Sequence, residues 1–348
     1  MRRSCSFLAG ALLALSAAFL AVGPAAPAVA DDGGFTIKDP RITESSGLAA
    51  SHLHPGVYWT HNDSDDGPYL YAVDSRTGKT VATLTLTGVG APRDVEAISI
   101  GPGNQIYVGD IGDNLGGTWD HVWIYKLPEP KVLKDATVRA TQYVVKYADG
   151  ARDAEALMVH PKTGRVYIVS KNEDGGGLYE APATLSASGT NVFRRVADID
   201  LWTTDGAFSP DGKQLAVRGY LGGIAYQWND GKIKRQGRLN VPLQPQGESV
   251  TYTADGSELM YGTEGENSSV QPESVPGYSG DKSPAEGGSS DTAGGGGSAD
   301  DGGGMSGDDK VGGLAPLLVP AVVFGFKRLG RRACEGAARP PWGRLRLG

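Results

Sequence analysis

Arg93-Asp94-Val95-Glu96-Ala97-Ile98 and Arg152-Asp153-Ala154-Glu155-Ala156-Leu157 are one pattern written twice, and the residues after each copy repeat as well. After Glu96 come a Gly/Pro/Asn turn, the run Ile106-Tyr107-Val108-Gly109-Asp110, a second turn and Val122-Trp123-Ile124-Tyr125. After Glu155 come His160-Pro161-Lys162-Thr163-Gly164, then Val166-Tyr167-Ile168-Val169-Ser170, then Leu178-Tyr179. Short β-branched and aromatic runs between Gly, Pro, Asp and Asn turns read as antiparallel strands in meander order. A recurrence of roughly 40–50 residues per unit marks a propeller blade. Fainter copies begin at Glu44-Ser45-Ser46-Gly47-Leu48, Thr204-Asp205-Gly206-Ala207-Phe208 and Gly247-Glu248-Ser249-Val250. Aligned on their acids, positions 44, 96, 155, 205 and 248, the copies are 52, 59, 50 and 43 residues apart. The expected fold is all-β: a β-propeller of five four-stranded blades over residues 35–275. Six blades stay open, because the 59-residue interval is long enough to conceal an irregular repeat.

Such a ring has to close. Residues 268–277 are polar and carry two prolines, so the last repeat lacks a convincing outer strand. Phe35-Thr36-Ile37-Lys38, ahead of the first repeat, is placed to supply one and to remove an open sheet edge. The flanks have other compositions. Residues 1–30 read as a secretory signal: Arg2 and Arg3, an apolar run from Phe7 to Val22, and Ala28-Val29-Ala30 ahead of Asp31. Residues 276–310 form a Gly/Ser/Asp-rich linker that has too little apolar surface for a core. Residues 311–326 are an apolar candidate for a membrane anchor, and 327–348 a basic tail. That order is the one expected of a C-terminal anchor with a cytoplasmic tail, although 16 residues is short for a span. The two cysteines, Cys5 and Cys334, both lie outside the repeats, so an exported ring would be held by burial alone. A net charge of −7 and the lack of a basic, aromatic-rich face argue against nucleic acid as a partner.

Topology gathers the chemistry. In a blade the innermost strand starts on one face of the disc, and the second strand returns to that face. Glu44, Glu96, Glu155, Asp205 and Glu248 should therefore meet the turns after the second strands around the channel mouth. Converging carboxylates must either take up protons or hold a cation. Calcium, with six to eight loosely arranged oxygen ligands, suits such a ring, and the five acids are its candidate ligands. Alternatively each acid accepts backbone N–H groups of the adjoining blade and staples the ring. His61, in His61-Asn62-Asp63, falls on the same face; Arg93 and Arg152 could place positive charge over the acids. These three are the catalytic candidates. No G-x-S-x-G, H-x-x-x-H, C-x-x-C or phosphate loop accompanies them.

Glu44 to Leu48, Trp59 to Ser64, Asp94 to Ile98, Tyr107 to Asn114 and Gln246 to Val250 together resemble secreted, actinobacterial-type β-propeller proteins akin to the esterase-like phytase propellers. The resemblance spans about residues 40–265. Five-bladed calcium-dependent nucleotidases are similar in setting acids and serines around a central calcium. By that likeness Glu44, Glu96, Glu155 and Glu248 are ligands, while Asp205, a shorter acid followed by Gly206, departs from the pattern. The resulting expectation is an extracellular propeller, tethered to the cell membrane by its tail, that binds a protein or an anionic small molecule on its acidic face around calcium. A calcium-dependent phosphate or ester hydrolase is the alternative.

Overall fold

The computed structural model describes residues 33–64, 66–113 and 115–276. The expected signal, linker beyond residue 276, anchor and tail lie outside the described residues. Among the described residues no helix is long and apolar enough to cross a membrane.

The strands form successive antiparallel meanders, as the repeats require. β1 (Phe35–Thr36) precedes the first, which runs β2 (Ser45–Ala50), β3 (Val57–Asn62), β4 (Tyr69–Asp74) and β5 (Lys79–Thr87). β6 (Val95–Gly101), β7 (Gln105–Asp110) and β8 (Val122–Pro128) begin the second; after β9 (Ala136–Arg139) it is completed by β10 (Thr141–Tyr147). The third is β11 (Ala154–Val159), β12 (Val166–Ser170), β13 (Gly176–Glu180) and β14 (Thr190–Ile199). The fourth is β15 (Thr203–Phe208), β16 (Gln214–Gly219), β17 (Gly222–Asn229) and β18 (Lys232–Leu239). β19 (Gly247–Tyr252), β20 (Glu258–Thr263) and β21 (Ser269–Ser274) make the last. The innermost strands β2, β6, β11, β15 and β19 pack each against the next, and β19 against β2. This is a closed β-propeller.

Alternation along each strand feeds the two seams a blade shares with its neighbours. Ile98 packs toward Trp59 and Leu84 of the first blade, whereas Ala97 packs toward Leu157 and Ile168 of the third. Met158 and Val169 meet Leu215 and Trp228, while Ala216 turns to Val250 and Tyr261. The remaining seam joins Leu48, Tyr58 and Val73 to Phe35, Met260 and Val270. Each blade therefore presents buried apolar residues to both of its neighbours. Each fully buried large side chain contributes about 1.5–3 kcal/mol, which is what holds a ring that has no disulfide among the described residues.

Closure occurs as the N-terminal segment suggests. Phe35 pairs with Val270 and Thr36 with Ser269, so β1 is the outer strand of the last blade. The polar segment after Met260 departs from expectation. It does form a strand, β21, paired to β20 from Glu258–Ser274 to Gly262–Val270. Pro272 is tolerated there because β1 ends its pairing at Val270, leaving that edge position without a ladder bond to lose. The long second interval is likewise explained. Its extra residues go into β9, which runs parallel to β5 and adds a fifth strand to the first blade.

Candidate metal centre at the hub

One backbone hydrogen bond recurs around the axis and brings the polar face together. The first or second residue after the second strand donates to the residue before the inner strand: Asp63 N to Glu44 O at 2.9 Å, Gly112 N to Asp94 O at 3.2 Å, Lys171 N to Asp153 O at 3.0 Å, and Glu264 N to Gln246 O at 2.9 Å. Two residues beyond each acceptor the inner strand bulges. Pairing with the second strand skips between Ser45 and Leu48, Val95 and Ala97, Ala154 and Ala156, Thr203 and Asp205, and Gly247 and Ser249. A bulge frees a residue from the ladder and re-aims its side chain. The residues so freed are Ser46 (with Gly47), Glu96, Glu155, Thr204 and Glu248.

This register differs from the sequence alignment at two points. Glu44 is the counterpart of Asp94 and Asp153, two residues before the bulge, and it is only half-buried. Asp205 stands one residue past the bulge. Its carboxylate accepts Gly206 N at 2.7 Å and, across the seam, Val250 N at 2.8 Å. Asp205 is thus a staple, with burial pushing its pKa well up against those two bonds. Ser46 and Thr204, the two hydroxyls in the bulge series, also bond across seams, to Glu96 O at 3.2 Å and Gly247 O at 3.1 Å.

Between the first two blades the acids crowd. Asp63, Asp94 and Glu96 each present a carboxylate oxygen within 4.8 Å of the others. Ser46 Oγ donates to Glu96 Oε2 at 2.9 Å, which orients that carboxylate. Asp63 Oδ1 is buried with no hydrogen-bond partner. At Gly112 a Cβ would lie 2.7 Å from both Asp94 Oδ2 and Glu96 Oε1, so only glycine leaves the space these oxygens share. Burial, then the Asp94 charge, pushes Asp63 up to about 9. Burial, then Glu155 and Asp63, drives Glu96 well above the usual carboxylate range.

The far side of the ring carries its own cation. Lys171 Nζ lies 2.5 Å from Glu155 Oε1 and 5.5 Å from the centre of the Tyr220 ring. Burial opposes the ammonium charge, but Glu155, Tyr220 and Glu96 outweigh it and raise the lysine pKa. Burial pushes Glu155 up to about 8 and Glu248 up to about 7, with Lys171 opposing both. The ring therefore divides into a lysine-neutralised half and an acid-only half.

The catalytic candidates do not join the acid-only half. His61 is buried, its Nδ1 3.1 Å from Asn62 O and its Nε2 without a partner, and burial lowers its pKa to about 4. The Arg93 guanidinium is sandwiched between Trp119 and Trp123, at 4.0 and 3.7 Å, and donates to His121 O. Arg152 sits over Tyr179 at 4.6 Å and pairs with Asp149 at 2.8 Å. Arg218, fully buried, donates to Ser249 O and Gly262 O and ties the fourth blade to the fifth. Sequence reasoning passes over Asp94, Ser46 and Gly112 as site residues, and it names Asp63 only as a neighbour of His61. The repeated Asp-x-Glu of both founding copies is the signal for Asp94.

No family model matches the chain, and no curated protein matches it. Solved structures are similar to it at low identity. The soluble aldose sugar dehydrogenase of Escherichia coli is 11% identical with a TM-score of 0.44, the match covering 69% of this chain and 98% of that one. The WD40 repeats of RRP9 are 11% identical with a TM-score of 0.37, covering 70% and 98%. A chain of the mitotic checkpoint complex is 13% identical with a TM-score of 0.36, and this chain spans 60% of its length. All three TM-scores lie below 0.5, and the propeller assignment rests on the strand topology.

Proposed function

We propose that this propeller is an exported binding module whose polar face carries a calcium ion held by Asp63, Asp94 and Glu96. The observation that carries the reading is their convergence within 4.8 Å around the space kept open by Gly112. The donors fit the ion: carboxylate oxygens with a serine hydroxyl behind them suit a hard cation, and the buried, unpartnered Asp63 Oδ1 has a lone pair to give. Bound there, the ion would supply the charge that holds the three acids ionised. Glu44, half-buried beside them with Ser64 Oγ 3.4 Å from its carboxylate, would take the outer side.

Export rests on the N-terminal signal pattern, tethering on the apolar and basic C-terminal segments, and both suit a site that meets extracellular calcium. An anionic group of a partner protein or small molecule would dock on the ion from the open face. A hydrolase at the same ion is less well supported. The two arginines it would use to clamp an anion are stacked on aromatic rings, and His61 is sealed in as a neutral ring.

Thermal unfolding of the purified protein with calcium or with chelator tests the reading. Saturating calcium at about a hundredfold over Kd should stabilise it by about 2.7 kcal/mol, and metal analysis should return one ion per chain. Equal melting in both conditions, with no bound metal, would sink the proposal.

A further inference from the structure

Away from the hub, the outer part of the first blade leaves a face uncovered. In β5, Ala82, Leu84 and Leu86 are buried against the second blade, so Thr83 and Thr85 point the other way, toward the last blade. That neighbour does not reach them. Its outer strand β1 has two residues, and the chain after it is tied to the β4–β5 turn, Lys38 N donating to Gly78 O at 2.7 Å. The opposite end of the hairpin, where Tyr69 pairs with Thr85 and Tyr71 with Thr83, stays open. β9 widens it further by setting Thr137 beside Thr85. The result is a groove of about 670 Å3, within the range of small-ligand sites.

Its lining has one chemical character. Tyr69 is 37% exposed and offers a ring face, 6.5 Å from the Tyr71 ring. Asp135 is fixed at the rim because Thr83 N donates to its Oδ1 at 2.8 Å. Asp66 receives Tyr71 Oη at 3.0 Å, and Arg41, held on Asp39, lies over Tyr71. Thr83 Oγ1 is buried beneath the floor, closed to solvent, whereas Thr137 is exposed in the lining. Hydroxyls and carboxylates dominate, the one guanidinium is already paired, and Ala136 is the sole aliphatic residue of the lining. An anion would meet two carboxylates here, and an apolar helix would strand the hydroxyls. A pyranose matches both parts: its C–H face stacks on an aromatic ring and its hydroxyls exchange hydrogen bonds with Asp and Thr.

We infer that this groove is a saccharide-binding site, with Tyr69 as the stacking platform and the exposed Asp135 and Thr137 as the polar contacts. It is independent of the metal site, so either can fail alone. The test is saturation-transfer NMR and calorimetry on the full chain with tetrasaccharides of glucose, mannose, galactose and N-acetylglucosamine. At least one should bind, with sugar C–H protons saturated from tyrosine resonances. Tyr69→Ala should weaken that binding about tenfold or more, and Thr137→Val should weaken it with the ring left in place. Both variants should keep the parent's melting temperature and calcium response, since neither side chain is in a core seam. Silence from every sugar, or binding indifferent to both substitutions, overturns the inference.

Discussion

Lys171 Nζ sits 2.5 Å from Glu155 Oε1 inside a ring of acids, with 17% and 3% of the two side chains exposed. Removing the ammonium leaves a buried carboxylate facing Glu96 and Glu248. Lys171→Met should destabilise the fold by about 3 kcal/mol, the scale for breaking one partner of a buried pair. Urea unfolding measures it. Adding Glu155→Gln to Lys171→Met should restore part of the loss, because the orphaned charge is then gone.

Calcium binding and ring stapling separate by mutation. Glu96→Gln, Asp94→Asn and Gly112→Ala should each abolish the calcium-dependent rise in melting temperature, the last by filling the shared space with a methyl group. Asp205→Ala should leave that rise intact yet lower stability in both conditions by about 1–3 kcal/mol, the penalty for stranding buried N–H groups. Calcium titrations followed by circular dichroism distinguish the two patterns.

Without metal, stability should depend on pH in a definite direction. Asp63, Glu155 and Glu248 have folded pKa values raised to about 9, 8 and 7, above those of the unfolded chain. Between the unfolded and folded values the native state binds more protons, so stability falls as pH rises. In chelator, melting temperature should decline from about pH 5 to pH 9. Below about pH 6.5 the buried His61, lowered to about 4, opposes this, because the unfolded ring takes a proton that the folded one refuses. Saturating calcium should flatten the alkaline decline by holding the carboxylates ionised.

Closure by β1 predicts that deleting residues 33–38 exposes the edge of β21 and withdraws Phe35 and Ile37 from the last seam. Loss of two buried side chains should cost about 3–6 kcal/mol, and the bare edge should promote association. Light scattering during thermal unfolding reads both.

The repeats were legible because each inner strand keeps an acid or hydroxyl beside a β-branched run, and because a seam needs apolar residues on both blade faces. The ring register was not. A bulge adds one residue on one strand without changing composition, so Asp205 lined up with Glu96 while its true counterpart, Thr204, passed unremarked. In the first blade the skip spans two residues, and Glu44 slipped to the level of Asp94. The arginines misled for another reason. The partners of Arg93 are Trp119 and Trp123, beyond two intervening strands, and nothing local to Arg93 announces them. β9 was hidden because its partner β5 lies some fifty residues upstream and the pairing is parallel.

The way β1 closes the ring has a mechanical side. Phe35 faces Val270 and Thr36 faces Ser269, and Gly34 lies against Val270 and Pro272, so the incoming and outgoing chain leave the last blade at the same end of an antiparallel pair. Tension between them would not shear a ladder all at once but would open it one rung at a time. A protein pulled from these two points should yield first at its clasp, at low force, while the other four seams stay shut.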